Sequence, residues 1–298
     1  MSGTRAGTIA ILGAPNAGKS TLLNRLVGTK LAIVSPKVQT TRARLLGIAL
    51  RGTAQLIFID TPGIFTPKRA LDRAMVAAAW SGAREADAVI LVVDAVRGID
   101  ADTLRILEGL ATVKTYTVLA LNKIDRIARE KLLPLAAELG VRRRFDAVFM
   151  ISSTTGDGVE DLAAHLAEHV PEGPWLFPED QVTDAPMRLL AAELVREQVF
   201  LQLHQELPYA VTVETGEYQD RKDGSVRISA TIHVARETHR PIVLGKGGAQ
   251  IKRIGAAARA EIARLVGRPV HLFLHVKLSE RWAEDREHYA AMRLDYET

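Results

Sequence analysis

The sequence lacks cysteine, has few aromatic residues and contains no long apolar run. Without cysteine among its 298 residues, disulfides, thiolate metal ligands and thiol nucleophiles are excluded. No apolar run reaches the roughly 18 residues that a membrane-spanning helix needs. The N-terminal residues show no signal-peptide pattern. We therefore expect a soluble, cytoplasmic protein.

The composition is that of an ordinary globular protein. With 47% apolar and 25% charged residues the chain can build full-sized cores, which excludes a disordered or collagen-like protein. At roughly 150 residues per domain, its length suggests about two domains. Lysine and arginine outnumber aspartate and glutamate by 39 to 35, a surplus too small to identify a polyanionic partner by itself.

The first part of the chain, to about residue 170, alternates short β-rich runs with longer helical patterns. Runs that are apolar almost throughout are typical of strands covered on both faces, so we predict an α/β domain with a mostly parallel sheet. The predicted strands are 8–12, 55–59, 88–93, 116–121 and 147–151. Residues 45–50 precede a turn at Gly52 and are expected to pair antiparallel with the second of these runs.

A proline-rich segment separates this part from the rest. Pro171, Pro174, Pro178 and Pro186 stand among acidic and polar residues, a composition that suits neither helix nor strand. We therefore expect a first domain over 1–172, a linker over 173–186 and a second, α+β domain over 187–298. Its predicted order is helix, two strands, two helices around a glycine turn, a strand and a C-terminal helix.

Residues 13–20 read GAPNAGKS, the phosphate-loop pattern, directly after a predicted strand and before a predicted helix. Glycine allows backbone N–H groups to surround a phosphate, and the helix N-terminus adds positive potential. Lys19 is expected to reach the β- and γ-phosphates, and the Ser20 hydroxyl to bind Mg²⁺. The predicted contacts of this loop are Gly13, Pro15, Asn16, Ala17, Gly18, Lys19, Ser20 and Thr21. This motif alone leaves ATP and GTP open.

Three later motifs complete the predicted nucleotide site, and one of them selects guanine. Asp60 ends the next parallel strand, where it can hold Mg²⁺, and the Gly63 N–H can approach a γ-phosphate. In the sequence Asn122-Lys123-Ile124-Asp125, the Asp125 carboxylate can accept from two donors of guanine that adenine lacks, which favours GTP. Ser152 and Ser153 follow the last strand and are expected to close over the base through backbone N–H groups.

A threonine before the predicted hairpin can report the nucleotide state. In the sequence Gln39-Thr40-Thr41-Arg42 we expect Thr41, rather than Thr40, to complete the Mg²⁺ coordination when a γ-phosphate is present. We assign Lys19, Thr41 and Gly63 to catalysis, and Ser20, Thr41 and Asp60 to the metal. Ile64 stands where a glutamine could orient the attacking water, so intrinsic hydrolysis should be slow, on the order of 10⁻⁴ to 10⁻² s⁻¹.

A glycine turn in the second domain suggests RNA binding. The stretch 240–277 contains eight basic residues and one acidic residue, a local net charge of +7, around the pattern Gly245-Lys246-Gly247-Gly248. Such a turn lets a nucleic-acid backbone approach a helix N-terminus closely. The expected RNA contacts are Gly245, Lys246, Gly247, Gly248, Gln250, Lys252 and Arg253.

Taken together, the nucleotide motifs, the glycine turn and three short segments resemble the Era family of bacterial GTPases over nearly the whole chain. The segments are 39–42, Phe177-Pro178-Glu179-Asp180 and Glu206-Leu207-Pro208-Tyr209. The resemblance implies a P-loop GTPase domain followed by a type II KH domain. It also implies a protein that uses Mg²⁺ and GTP, binds the 3′ end of 16S rRNA, assists 30S ribosomal subunit maturation and associates peripherally with the inner membrane. We separately expect a monomer. Ser153 departs from the alanine usual in the family.

Alternatives remain at this point. A GTPase that modifies tRNA would share the first domain but needs a separate chemistry module. An RNA-binding protein with an inactive nucleotide site would not turn over GTP. A membrane-associated signalling GTPase would bind anionic vesicles, although the sequence shows no lipidation motif.

Overall fold

A computed structural model describes residues 3–37, 40–42, 44–204, 207–280, 282, 286, 289, 292 and 294. The chain divides into two compact units, one formed by 1–32, 41–184 and 292–298, the other by 33–40 and 185–291. The divide at 184 falls within the predicted linker. Residues 33–40, predicted to belong to the first domain, group with the second unit instead. No helix within the described ranges is long and apolar enough to cross a membrane.

The first unit is built around a six-stranded sheet in the order β2-β3-β1-β4-β5-β6. All neighbouring strands are parallel except β2 and β3, which form the predicted antiparallel hairpin. The strands are β1 (Arg5–Gly13), β2 (Leu45–Arg51), β3 (Ala54–Asp60), β4 (Ala88–Asp94), β5 (Tyr116–Asn122) and β6 (Ala147–Met150). The predicted fold class of this part is confirmed.

Helices cover this sheet, as the predicted two-sided burial requires. Every residue of β3 and β4 is buried, because parallel strands with helical crossovers lose solvent on both faces. The helices are α1 (Lys19–Val27), α2 (Ala70–Glu85), α3 (Ala101–Leu110), α4 (Leu132–Arg142) and α5 (Val159–His169). Their apolar faces close a core with the sheet, and the loops that follow β1, β3, β4 and β5 gather at the carboxyl edge.

The proline-rich segment packs on the first unit up to residue 184. Gln55, fully buried in β3, accepts from the backbone N–H groups of Leu176 and Phe177 at 2.9 and 3.0 Å and donates to the Phe177 carbonyl at 2.8 Å. The Trp175 indole N–H donates to the Thr53 carbonyl at 3.0 Å. The prolines therefore exclude regular structure here, while one buried amide still fixes the path of the chain.

The second unit is an α+β domain with a three-stranded sheet in the order β7-β8-β9. The middle strand pairs antiparallel with β7 and parallel with β9. Its elements are α6 (Met187–Gln202), β7 (Val211–Asp220), β8 (Val226–Val234), α7 (His239–Leu244), α8 (Ala249–Val266) and β9 (Val270–Leu278). Apolar side chains of α6, α8 and one sheet face form its core. The predicted C-terminal helix lies mostly outside the described residues.

Candidate guanine-nucleotide and RNA sites

The phosphate loop lies between the carboxyl end of β1 and the first turn of α1. Asn16 and Gly18 have φ values of 63° and 103°, the left-handed conformation that turns the chain back around a central cavity. A Cβ atom at position 18 would collide with the side-chain amide of Asn122, so glycine is required there on two grounds. The predicted strand, loop and helix thus occur in the expected order.

Lys19 is buried, and two backbone carbonyl groups hold its ammonium. Its ammonium donates to the carbonyl oxygens of Gly13 and Ala14, each at 3.0 Å. Burial lowers the pKa of Lys19 from 10.5 to about 8, and the more distant charge of Asp60 opposes this only partly. A buried cation held by two carbonyl dipoles has the electrostatic environment that an anionic phosphate would complete.

The three residues predicted to hold the metal come together. The Ser20 hydroxyl lies 2.9 Å from the Thr41 hydroxyl, and each is 3.1 Å from Oδ2 of Asp60. Asp60 and Thr41 are both buried. Two hydroxyls and one carboxylate oxygen in mutual contact form the hard oxygen set that Mg²⁺ prefers. Of the two threonines considered, Thr41 is the one whose side chain lies in this cluster.

The segment after Asp60 lies directly against the phosphate loop. The Thr61 hydroxyl donates to the Ile11 carbonyl at 2.6 Å, which fixes this segment to β1. The Cα of Gly63 is so close to the backbone of Pro15 that an added Cβ would lie about 3.0 Å from its nitrogen. Ile64 is fully buried, so its side chain points into the core and leaves the attacking water unassisted.

The motif at 122–125, predicted to recognise the base, is hydrogen-bonded to two neighbouring loops. The Asn122 side chain donates to the Ala17 carbonyl at 2.8 Å and accepts from the Ser153 N–H at 2.9 Å, joining the phosphate loop to the loop after β6. The Lys123 ammonium donates to the Asn16 carbonyl at 2.7 Å and to Asp94 at 2.6 Å. Asp125 is exposed, with its carboxylate at the surface of this edge.

The loop at 152–153 differs from expectation in the use of its backbone donors. The Ser152 N–H donates to the Asp157 carbonyl at 2.9 Å, and the Ser153 N–H donates to Asn122, so both are engaged within the protein. The Ser153 hydroxyl adds a second bond to the same Asn122 oxygen at 3.0 Å. The serine at 153, which departs from the alanine usual in the family, therefore adds a brace between two loops.

Asp94 was missed by sequence reasoning. It ends β4, and its carboxylate forms the ion pair with Lys123 while accepting from the Val96 N–H at 3.0 Å. The signal was available, because a carboxylate at the carboxyl end of a parallel strand faces the ligand edge in this architecture.

The glycine turn of the second unit connects α7 to α8. Gly245, Gly247 and Gly248 have φ values of 71°, 60° and 77°, and a Cβ at position 245 would lie only 2.6 Å from that of Gln250. Lys246 is exposed at the tip of the turn, before the first N–H groups of α8. The turn therefore brings one ammonium to the start of α8 with no side chain at the three glycine positions.

The remaining predicted RNA contacts divide into two groups. Lys252 is exposed on the first turns of α8, and its ammonium has no ion pair in the described part of the chain. Gln250 instead uses its side chain internally, since it accepts from Arg253 and donates to Gln202 at 3.3 Å. Arg253 is exposed but joined to Gln250. The lysines are consequently the freest cations around the turn.

A second residue that the sequence did not reveal is Arg196 in α6. It is 2% exposed, and its guanidinium binds both oxygens of Glu193 at 2.8 and 2.6 Å. The same guanidinium donates to the Thr40 carbonyl. Glu197 accepts from the Val34 N–H at 3.0 Å. Both contacts hold the 33–40 segment, which belongs to this unit.

Comparison with known proteins finds relatives that are similar over nearly the whole chain. The protein-family description "50S ribosome-binding GTPase" matches residues 8–123, and "KH domain" matches residues 206–283. GTPase Era of Rhizobium meliloti (strain 1021) is 57% identical over 293 residues, which cover 98% of this chain and 94% of the relative. GTPase Era of Agrobacterium fabrum (strain C58 / ATCC 33970) is 55% identical, with 98% and 92% covered.

Two solved structures are similar over both units. The crystal structure of an Aquifex aeolicus Era variant bound to GDP and tetrafluoroaluminate has a TM-score of 0.92 and 38% identity, covering 97% of this chain and 99% of that one. A crystal structure of Era in complex with MgGDPNP and nucleotides 1506–1542 of 16S ribosomal RNA has the same TM-score and identity, covering 97% and 98%.

Proposed function

The chain belongs to the Era family of GTPases, and from this premise we propose that it binds the 3′ end region of 16S rRNA and assists maturation of the 30S subunit. We propose further that RNA binding is favoured in the GTP state. GTP hydrolysis with Mg²⁺ is the activity of the family. The observation that carries the RNA assignment is the exposed glycine turn, together with the rRNA fragment bound by the similar Era.

In the nucleotide site, the geometry indicates a separate role for each residue. Lys19 neutralises charge that develops on the β- and γ-phosphates, because its buried ammonium is held by two carbonyl dipoles, with the charge of Asp60 farther away. Ser20, Thr41 and Asp60 supply the oxygen atoms that would hold Mg²⁺, which when bound offsets negative charge on the phosphates. Gly63 offers its N–H beside the phosphate loop. With Ile64 buried and no glutamine in its place, hydrolysis is slow until a partner assists.

Selectivity for guanine rests on Asp125. Its carboxylate is exposed three residues after the end of β5, and the side chains of Asn122 and Lys123 in the same motif are hydrogen-bonded to the phosphate loop. A carboxylate that accepts from two guanine donors would face no matching pair in adenine. Ser153 contributes through Asn122, which it braces with two hydrogen bonds.

Coupling between the nucleotide and the RNA is carried by the 33–40 segment. Arg196 in α6 of the second unit binds the Thr40 carbonyl. The next residue, Thr41, belongs to the first unit, and its hydroxyl contacts Asp60 in the oxygen set described above. Lys37 strengthens the attachment, since its ammonium donates to the carbonyl oxygens of Phe200 and Leu203 at the end of α6. When Thr41 changes position, the 33–40 segment must move with it, and this segment is hydrogen-bonded to α6 of the RNA-binding unit.

Sequencing of bound RNA tests this function. The protein is crosslinked to total RNA with a non-hydrolysable GTP analogue or with GDP, and the captured RNA is sequenced. We expect enrichment of the 16S rRNA 3′ end, mainly with the analogue, and its loss in a Lys246→Ala/Lys252→Ala variant. Enrichment of tRNA, or vesicle binding in place of RNA binding, would favour the alternative of a GTPase that acts on tRNA or at the membrane.

The family premise also suggests where and in what form the protein works. We propose a cytoplasmic monomer, with peripheral inner-membrane contact as a separate expectation. Flotation with anionic vesicles and sedimentation velocity measure these two properties directly.

A further inference from the structure

Among the described residues, no helix covers one face of the second unit's sheet. Along β9 the residues that face the core are Val270, Leu272 and Leu274, while the intervening residues are exposed. The register pairs His271 with Arg227 and Phe273 with Ser229. We call the surface formed by Arg227, Ser229, His271, Phe273, His275 and Lys277 the open face.

The open face presents an aromatic ring that burial does not explain. Phe273 is 45% exposed, although an apolar side chain of this size normally turns into a core. The Arg227 guanidinium lies over the ring, 4.9 Å from its centroid. An arginine stacked on a half-exposed phenylalanine is a flat, cationic platform, and such platforms accept nucleic-acid bases.

The charge along β9 is complementary to a polyanion. His271, His275 and Lys277 flank the ring on the same face at two-residue intervals, about 6.6 Å apart in a strand. Acidic groups lie on β7 and on the turn that joins β7 to β8, where Asp223 is close enough to His271 for their charges to interact. Glu217 lies 3.4 Å from Arg227, and Glu214 lies 3.5 Å from His233. The row on β9 thus carries an ammonium and two imidazoles with no carboxylate among them.

We propose that the open face is a second RNA-binding surface, on which an unpaired base of single-stranded RNA stacks against Phe273 while Lys277 and the two histidines contact phosphates. This inference rests on the proposed RNA binding of the second unit. It differs in place, because the glycine turn lies between two helices and the open face lies on the uncovered side of the sheet. Sheet-face aromatics serve the same purpose in other RNA-binding folds.

The test measures the affinity of the full chain for single-stranded RNA that extends well beyond the length one glycine turn can cover. Phe273→Ala should weaken binding about tenfold, the usual loss when one stacked base is removed. Phe273→Trp should retain affinity, and its added indole emission should be quenched by RNA. Val148→Ala, which truncates an exposed apolar residue of the first unit, is the control and should leave affinity unchanged.

The outcomes separate this inference from the function on which it rests. If Lys246→Ala weakens binding and Phe273→Ala does not, RNA binding stands and the open face is not part of it. If Phe273→Leu binds as well as Phe273→Trp, stacking is absent and the inference is overturned. If Phe273→Ala changes sedimentation from dimer to monomer without changing RNA affinity, the open face is an interface between copies. Circular dichroism checks that each variant is folded.

Discussion

The buried ammonium of Lys19 makes the stability of the unliganded protein depend on pH in a defined window. Burial lowers its pKa in the folded state from 10.5 to about 8. Since the folded-state pKa lies below the unfolded one, the unfolded chain binds more protons between these values, and stability must rise with pH across the window. At 1.4 kcal/mol per pH unit, the penalty is about 3 kcal/mol at pH 7 and about 1 kcal/mol at pH 9.5.

The comparison of wild type with Lys19→Met isolates this effect. Other lysines and tyrosines titrate in the same range, but their contributions cancel in the difference between the two proteins. Without nucleotide and with a chelator present, the stability of wild type relative to Lys19→Met should increase by about 2 kcal/mol from pH 7 to pH 9.5. Urea unfolding followed by circular dichroism at several pH values measures it.

Two results would refute this reasoning. Equal pH dependence in both proteins would mean that Lys19 is not desolvated in the unliganded state. Unchanged nucleotide affinity in Lys19→Met would mean that the ammonium does not meet a phosphate. Adding MgGTP to the wild type should abolish the pH-dependent gain, because a bound anion favours the charged lysine.

Three further predictions concern the other site residues. Asp125→Asn exchanges an acceptor for a donor, so the preference for GTP over xanthosine triphosphate should fall by about 100-fold or more, measured by competition binding. Thr41→Ala should weaken Mg²⁺ affinity of the GTP-analogue complex at least ~10-fold, whereas Thr40→Ala should not, because Thr40 contributes only its carbonyl. Comparable losses in both variants would remove the assignment of Thr41. Lys246→Ala and Lys252→Ala should each reduce the slope of log affinity against log salt by about one, and an unchanged slope would take phosphate contact away from that lysine.

Much of the nucleotide-binding unit could be predicted because its signals are local. Apolar runs predict buried parallel strands, and the residues that follow them, such as Lys19 and Asp60, must then meet at one edge of the sheet. The predicted antiparallel hairpin was correct because a short turn sets its register.

The parts that escaped prediction depend on contacts between residues distant in sequence. Residues 33–40 read as a polar loop, and nothing in them indicates that Arg196, 156 residues beyond Thr40, binds their backbone. Prolines at 171–186 predicted the absence of helix and strand correctly, but the packing of this segment depends on hydrogen bonds to distant residues, among them Gln55 and Thr53. A backbone atom can form such a hydrogen bond whatever its side chain is, so the residue type at that position does not reveal the bond.

The most direct test of nucleotide-controlled RNA binding is the affinity for an RNA of the 16S 3′ end, measured with a non-hydrolysable GTP analogue and with GDP. Allosteric couplings of ordinary size predict 5-fold to 150-fold tighter binding with the analogue. Lys37→Met, which loosens the 33–40 segment, should reduce that ratio, while the exposed control Lys114→Met should not. Equal affinities in the two nucleotide states of the wild type would contradict the proposed coupling.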